Sequence, residues 1–468
     1  MFDDGEEDDY NEGRIQEDLK RFEAFLNGGE MGFLDSDRWE ALLDHLVISG
    51  QYQKAILASD EALSQFSYNG LFKLRRAQAF SGLGKLKESI QLLSELERMG
   101  MPSFELLLTK ASVFSQLKDS NNAIKYFRAA ISQAEPEDRD EIYLDLAVEY
   151  ENIGQWNEAL NVLQEAIQKN PHNEGAIYEI AFCYDQLGNY EKSIECYSNF
   201  IDENPYSFTA WYNLGNAFLK VEKYEQAIWA YDYCILINDD FGPVYFNMGN
   251  AYLSLDKYTK AIESFQMSID LDGDDPMAYC YIGESYEQLE RLDLAKKFYQ
   301  KSLELAPLLP EGWLGLGIVE DLEGRTKEGL VLLQKAADLA PENAGILHVL
   351  AGAYEKLEEY ELAADYYQLV LKLDPTDSEC LMNYVNLLSQ TVSLVEAKSF
   401  LNEFEETDAD NAYIPLLKIN LWWKLGEKSG ALELFKQCIE RDREHALELF
   451  EINPELKNVT EFVLLADN

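Results

Sequence analysis

The spacing of its prolines constrains this chain more than any other feature. Pro171 and Pro205 lie 34 residues apart, and Pro307, Pro341 and Pro375 keep the same register, with Asp239 and Gly273 at the two steps between. A proline cannot continue the helix that precedes it, so one per period marks a recurring helix stop. Numbering that position 32 sets unit starts at 140, 174, 208, 242, 276, 310 and 344. A fixed period of this length implies a solenoid, in which each unit buries its apolar face only by stacking on its neighbours.

The columns of the repeat assign the helices. Position 8 reads Ala147, Ala181, Gly215, Gly249, Gly283, Gly317 and Ala351, and position 20 reads Ala159, Ser193, Ala227, Ala261, Ala295, Gly329 and Ala363. Small residues belong where two helices approach closely. Position 24 reads Leu163, Tyr197, Tyr231, Phe265, Tyr299, Leu333 and Tyr367, and supplies the bulk that fills the space. Position 11 is aromatic (Tyr150, Tyr184, Phe218, Tyr252, Tyr286, Tyr354) except for Glu320. A polar or glycine turn such as Leu187-Gly188-Asn189-Tyr190 separates positions 8 and 20, and apolar residues on either side recur at i, i+3, i+4 and i+7. Each unit therefore reads helix, turn, helix.

These columns resemble the tetratricopeptide repeat family, most closely over residues 210–231 and 244–265. Further units begin at 36, 70 and 104 upstream and at 378 and 412 downstream. The unit from 104 is two residues longer than the period, its extra length falling at Glu135-Pro136-Glu137. The expected fold is all-α: an α-α superhelix of about 12 helix-turn-helix repeats over 36–445. An acidic, disordered tail is expected at 1–13. A capping helix follows at 14–35, with Ile15, Leu19, Phe22 and Leu26 as its apolar stripe. A C-terminal capping helix is expected at 446–468, capped by Asn453-Pro454 and facing inward through Leu456, Val459, Phe462 and Val463.

Charge narrows the function. Thirty-nine Lys and Arg stand against 86 Asp and Glu, a formal net charge of −47. Such a field repels phosphate backbones and anionic lipid, which argues against direct nucleic-acid binding, and its natural complement is a basic protein or peptide. No apolar run is long enough for membrane insertion. The first residues lack the pattern of a secretory signal, so a cytoplasmic location is expected. The six cysteines and four histidines have no metal or disulfide spacing, and the cysteines are expected to be buried thiols. No catalytic or cofactor motif stands out. Asp270-Leu271-Asp272-Gly273-Asp274-Asp275 looks like the start of a calcium loop but has Asp275 where that loop needs glycine and Tyr281 where it needs glutamate. The chain is read as a non-enzyme without cofactors.

The resemblance implies that the first helices line a concave surface. There the central repeats carry Tyr212, Asn213, Asn216, Phe246, Asn247 and Asn250. Asparagine can pair with a peptide backbone in either sense, and aromatic rings offer rigid contact area. Position 12 holds acids on either side: Glu151, Asp185, Glu287, Asp321 and Glu355. Few bases face the same way, namely Arg75, Lys220 and Lys356, which disfavours a clamp for a partner's terminal carboxylate. The expected function is a scaffold or adaptor that holds an extended basic segment. Self-assembly into a homo-oligomer, or service as a non-catalytic regulatory subunit, are the alternatives. Glu320 as a charged notch and an exposed Trp423 are secondary candidates.

Overall fold

The computed structural model describes residues 4–100, 103–171, 173–407 and 411–467, and their regular structure is helical throughout. They form two compact units, Met1–Lys223 and Tyr224–Asn468.

The first unit contains α1 (Asp4–Leu26), α2 (Ser36–Ile48), α3 (Tyr52–Gln65), α4 (Gly70–Gly82), α5 (Leu86–Arg98), α6 (Phe104–Gln116), α7 (Ser120–Ile131), a 3-10 turn (Pro136–Asp138), α8 (Arg139–Asn152), α9 (Trp156–Lys169), α10 (Glu174–Gln186), α11 (Tyr190–Glu203) and α12 (Phe208–Lys220). The second contains α13 (Tyr224–Ile237), α14 (Gly242–Ser254), α15 (Tyr258–Asp272), α16 (Pro276–Gln288), α17 (Leu292–Leu305), α18 (Pro310–Leu322), α19 (Thr326–Leu339), α20 (Ala344–Lys356), α21 (Tyr360–Leu373), α22 (Ser378–Thr391), α23 (Leu394–Thr407), α24 (Ile414–Lys424) and α25 (Lys428–Arg441). It ends in α26 (Arg443–Leu447), α27 (Leu449–Ile452), a 3-10 turn (Pro454–Asn458) and α28 (Thr460–Asp467). The even-numbered helices α2 to α24 begin within two residues of the expected unit starts, and the surplus length of the unit from 104 is the 3-10 turn before α8.

Local chemistry explains why the helices stop and start there. Asn69, Ser103, Asn173, Ser207, Asp275, Asn343 and Asp377 each cap the following first helix by accepting from its backbone N–H groups. Asp275 belongs to the acidic loop before α16, where Gly273 takes φ +93° and Asp274 accepts from Tyr279, so the loop is a helix joint. The indoles of Trp211 and Trp313, both at position 4, donate to the carbonyls of Pro205 and Pro307 at 2.9 Å and tie each first helix to the stop before it.

The turn between helices is left-handed at position 15. Gly50, Gly84, Gly154, Gly188, Gly324 and Gly426 have positive φ there, and so do Lys118, Glu222, Asp256, Glu290 and Glu358. A side chain in that conformation costs about 1–2 kcal/mol. Glu290→Gly is therefore expected to stabilise the protein by about 1 kcal/mol, less the entropy of the glycine. Urea unfolding monitored by circular dichroism reads this directly, and an unchanged or lower midpoint would count against it.

Packing follows the columns. A Cβ on Gly249 would lie 2.7 Å from the Phe265 ring, one on Gly283 2.9 Å from Tyr299, and one on Gly317 2.6 Å from Leu333. Position 8 is small because position 24 of the same repeat lies on it. Position 11 rings stack on position 23: Phe114 on Tyr126, Tyr286 on Phe298 and Tyr354 on Tyr366, with centroids 5.4–5.5 Å apart. Glu320 breaks that series but is no open notch. It is 8% exposed and held by Lys296 and Arg325, whose hydrogen bonds, Arg325 first, keep its carboxyl below the usual range.

The C-terminal end departs from the expected single capping helix, and the N-terminal helix from its expected start. α1 already begins at Asp4, inside the acidic stretch read as disordered. Residues 1–3 lie outside the described residues. Phe22 is fully buried and meets Trp39 edge to face, whereas Leu26 is 40% exposed. At the other end Asn453 does cap Pro454–Asn458, but that turn is 3-10, and extended backbone at Val459 separates it from α28. Leu456 and Phe462 are buried all the same. Trp423 is half-buried against Phe462, ring centroids 5.1 Å apart, so it belongs to this cap. All six cysteines are free thiols, four of them buried.

Candidate functional site

Both units present cavities along their first helices. In the second unit a cavity of about 530 Å³ is lined by Asn250, Leu253 and Ser254 of α14, Asp256 of the following turn, and Tyr281 and Glu284 of α16. Asn250 and Glu284 occupy the same position, 9, of successive repeats, so the stacking of first helices brings them to one opening. Two acids and no Lys or Arg line it. In the first unit a cavity of about 520 Å³ is lined from α2, α4 and α6. Its base, Arg75, is held by Asp44 and by Glu105, the latter at 2.7 Å. Gln78 donates to Thr109 at 3.1 Å and Gln116 to Ser81 at 3.0 Å, so much of its polar lining is matched internally.

The expected binding residues divide between the units. Tyr212, Asn213 and Asn216 are half-buried on α12 in the first; Phe246, Asn247 and Asn250 are half-buried on α14 in the second. Asn250 lines the cavity. Phe246 packs inward, its ring 5.5 Å from Phe265 and 5.9 Å from Tyr281. An aromatic at position 5 lies beside the large position 24 residue of its own repeat, so Phe246 serves the core and presents Tyr281 beside it.

The acids of position 12 are less free than their column implies. Asp185 pairs with Lys220 at 2.6 Å, and Asp321 pairs with Lys356 and accepts from Thr326. Two of the three bases facing this way are thus taken up by the acid one repeat before them, and Arg75 by its own pair. The Tyr367 hydroxyl donates to Glu355 at 2.8 Å and that of Tyr299 to Glu287 at 2.9 Å, each from position 24 behind. Burial raises the Glu151 carboxyl, with the charge of Glu179 adding to it.

Glu287 is the most perturbed of these acids. Burial pushes its carboxyl up to about 7, Tyr299 opposes this by hydrogen bonding to the ionised form, and the charge of Glu284 adds to the rise. Burial raises Glu284 as well. A carboxyl raised in the fold stabilises it fully only below the unfolded value and loses that contribution as pH rises through about 7. Glu287→Gln should therefore stabilise the protein at about pH 8.5 and change little at about pH 5. Thermal melts across that range check it; a stabilisation confined to the acid side would refute it.

The known proteins agree with this architecture. Family models described as tetratricopeptide repeat match residues 153–214 and 322–390, 243–275, and 104–136, 208–241 and 278–307. These segments take in more than half of the chain. The chain is a tetratricopeptide repeat protein. Among its relatives, anaphase-promoting complex subunit 3 of Schizosaccharomyces pombe is 28% identical over 126 residues, 26% of this chain and 18% of that protein. The chain thus matches less than a fifth of that relative's length. Among solved structures, the APC/C hetero-tetramer Cut9–Hcn1 has a TM-score of 0.44 at 14% identity, covering 83% of this chain and 90% of that one. A tetratricopeptide repeat protein from Parabacteroides merdae scores 0.42 at 19% identity, covering 53% and 98%. As a tetratricopeptide repeat protein the chain is a protein-interaction scaffold. No helix among the described residues is long and apolar enough to cross a membrane.

Glu284 and Tyr281 were not singled out from the sequence. The signal was there at position 9, where Asn216 and Asn250 are followed by Glu284. In Tyr281 nothing in the sequence distinguishes a cavity wall from a core ring.

Proposed function

We propose that this scaffold binds an extended, basic segment of a protein partner along the first helices of its repeats, without catalysing a reaction. The observation that carries the reading is the cavity between α14 and α16, lined by Asn250, Tyr281, Asp256 and Glu284 and by no base. Asn250 offers a donor and an acceptor to a peptide backbone, Tyr281 a ring face, and the two carboxylates a place for Lys or Arg. Glu287 adjoins them and is ionised above about pH 7. Tyr212, Asn213 and Asn216 extend the same chemistry in the first unit. Glu151, Glu287 and Glu355 carry the acidic flank, whereas Asp185 and Asp321 contribute less because lysines already neutralise them. The free thiols suit a reducing compartment such as the cytoplasm.

A second reading is a non-catalytic subunit of a larger assembly. It is favoured by the stretch of similarity to a subunit of the anaphase-promoting complex.

Selection of the full chain against a library of random extended peptides tests the first reading. The retained peptides should be rich in Lys and Arg, and their affinity should fall as salt rises. Retention of acidic peptides, or binding indifferent to salt, would overturn the basic-partner claim.

A further inference from the structure

The joint of extra length before α8 adjoins a cavity whose lining is mainly basic. Where the 3-10 turn Pro136–Asp138 adds length between α7 and α8, a cavity of about 370 Å³ opens on the second-helix side of the first unit. Arg128 of α7, Arg139 at the start of α8 and Lys169 at the end of α9 line it, beside Tyr143 and a single acid, Glu165. Three bases against one acid is a local excess of positive charge in a chain of net charge −47.

The partners of these bases matter more than their number. Elsewhere in the chain Lys54, Lys73, Arg75, Lys110, Lys220 and Lys418, among others, are paired with carboxylates. Around this cavity the fixing groups are neutral. Arg139 donates through Nε and Nη2 to the carbonyl of Ala134, at 3.0 and 2.9 Å. Arg128 donates through Nε to the Tyr150 hydroxyl at 2.9 Å and lies over that ring. Both guanidinium groups are thus held in place by neutral partners, and among the described residues N–H donors remain unused on each. No ion pair forms on Arg128, Arg139 or Lys169 among the described residues, and Glu135 and Asp138 of the joint do not line the cavity. Glu165 is engaged by the Tyr143 hydroxyl at 2.9 Å.

We propose that this cavity binds a phosphoryl group, held between the guanidinium groups of Arg128 and Arg139 and the ammonium of Lys169. The charge selects the ligand. Three bases and one acid leave an excess near two, which a phosphate monoester balances with its charge of roughly −1.5 to −2, whereas a single carboxylate does not. Guanidinium forks fixed from behind match phosphate oxygens without a further ordering cost. The cavity exceeds the ion alone, and its Ile131, Leu146 and Val162 walls give the carrier of the group an apolar seat. This site is separate from the first-helix face and does not depend on that reading.

Titration calorimetry of the full chain at low salt, with inorganic phosphate and with a glycine-phosphoserine-glycine peptide, tests the proposal. Binding of the phosphopeptide is expected, about tenfold weaker in Lys169→Gln, the factor that loss of one charge-assisted hydrogen bond implies. It should be lost in Arg128→Gln/Lys169→Gln, while the thermal melts of both variants stay close to that of the parent. Tighter binding of the phosphopeptide than of inorganic phosphate places the group on a peptide carrier; equal binding makes the free ion the ligand, and both support a phosphoryl site. Failure of both probes to bind overturns it. So does equal binding of a glycine-glutamate-glycine peptide, or binding that the double variant leaves intact.

Discussion

Replacing Phe265 by alanine is expected to cost about 3–5 kcal/mol, the range for deleting a fully buried aromatic ring. The ring is 0% exposed, stacks on Tyr281 at 5.3 Å, meets Phe246 edge to face at 5.5 Å and lies against the Cα of Gly249. Its loss removes the contact between helices of one repeat and the contact to the next at once. Gly249→Ala should cost about 1–3 kcal/mol by itself, because the added methyl would lie 2.7 Å from that ring. In the Phe265→Ala background the same methyl enters vacated space. The double variant should therefore be less destabilised than the sum of the two, by about 1–3 kcal/mol of coupling. Denaturant unfolding of the four proteins measures this, and strict additivity would refute the account of positions 8 and 24. Gly329 gives the contrast. Its Cβ would lie 2.7 Å from the Gly317 carbonyl oxygen, and truncating a side chain cannot move a backbone atom.

Most of this architecture is legible in the sequence, because a repeat states each packing rule several times. The prolines fixed the helix stops, and the small and bulky columns fixed which faces meet. Where one residue speaks alone, the sequence says less. Glu222, Asp256, Glu290 and Glu358 hide a left-handed turn that glycine announces elsewhere. Val392 occupies that position with φ −112°, since a β-branched side chain does not favour the left-handed region, and the turn there takes another form. Phe246 and Tyr281 share their chemistry, yet one packs inward and the other walls a cavity, a difference set by the neighbouring repeat. The acids of position 12 looked alike in sequence; pairing with Lys220 and Lys356 separates Asp185 and Asp321 from the rest. The basic cavity is not legible in the sequence because Arg128, Arg139 and Lys169 are dispersed along the chain and meet only in the fold.

The binding claim rests on Glu284, about one turn of helix from Tyr281 in a cavity lined by no base, with Glu287 about one turn further along α16. Reversing both charges removes the attraction for Lys and Arg and sets like charges against them, a juxtaposition worth several kcal/mol in a desolvated contact. The direct measurement is the affinity of a selected Lys- and Arg-rich peptide for the parent and for Glu284→Lys/Glu287→Lys, at equal salt and at about pH 8, above the Glu287 value of about 7. The account predicts a loss of about a hundredfold or more, with the melting transition retained. An affinity unchanged by the two reversals would contradict it.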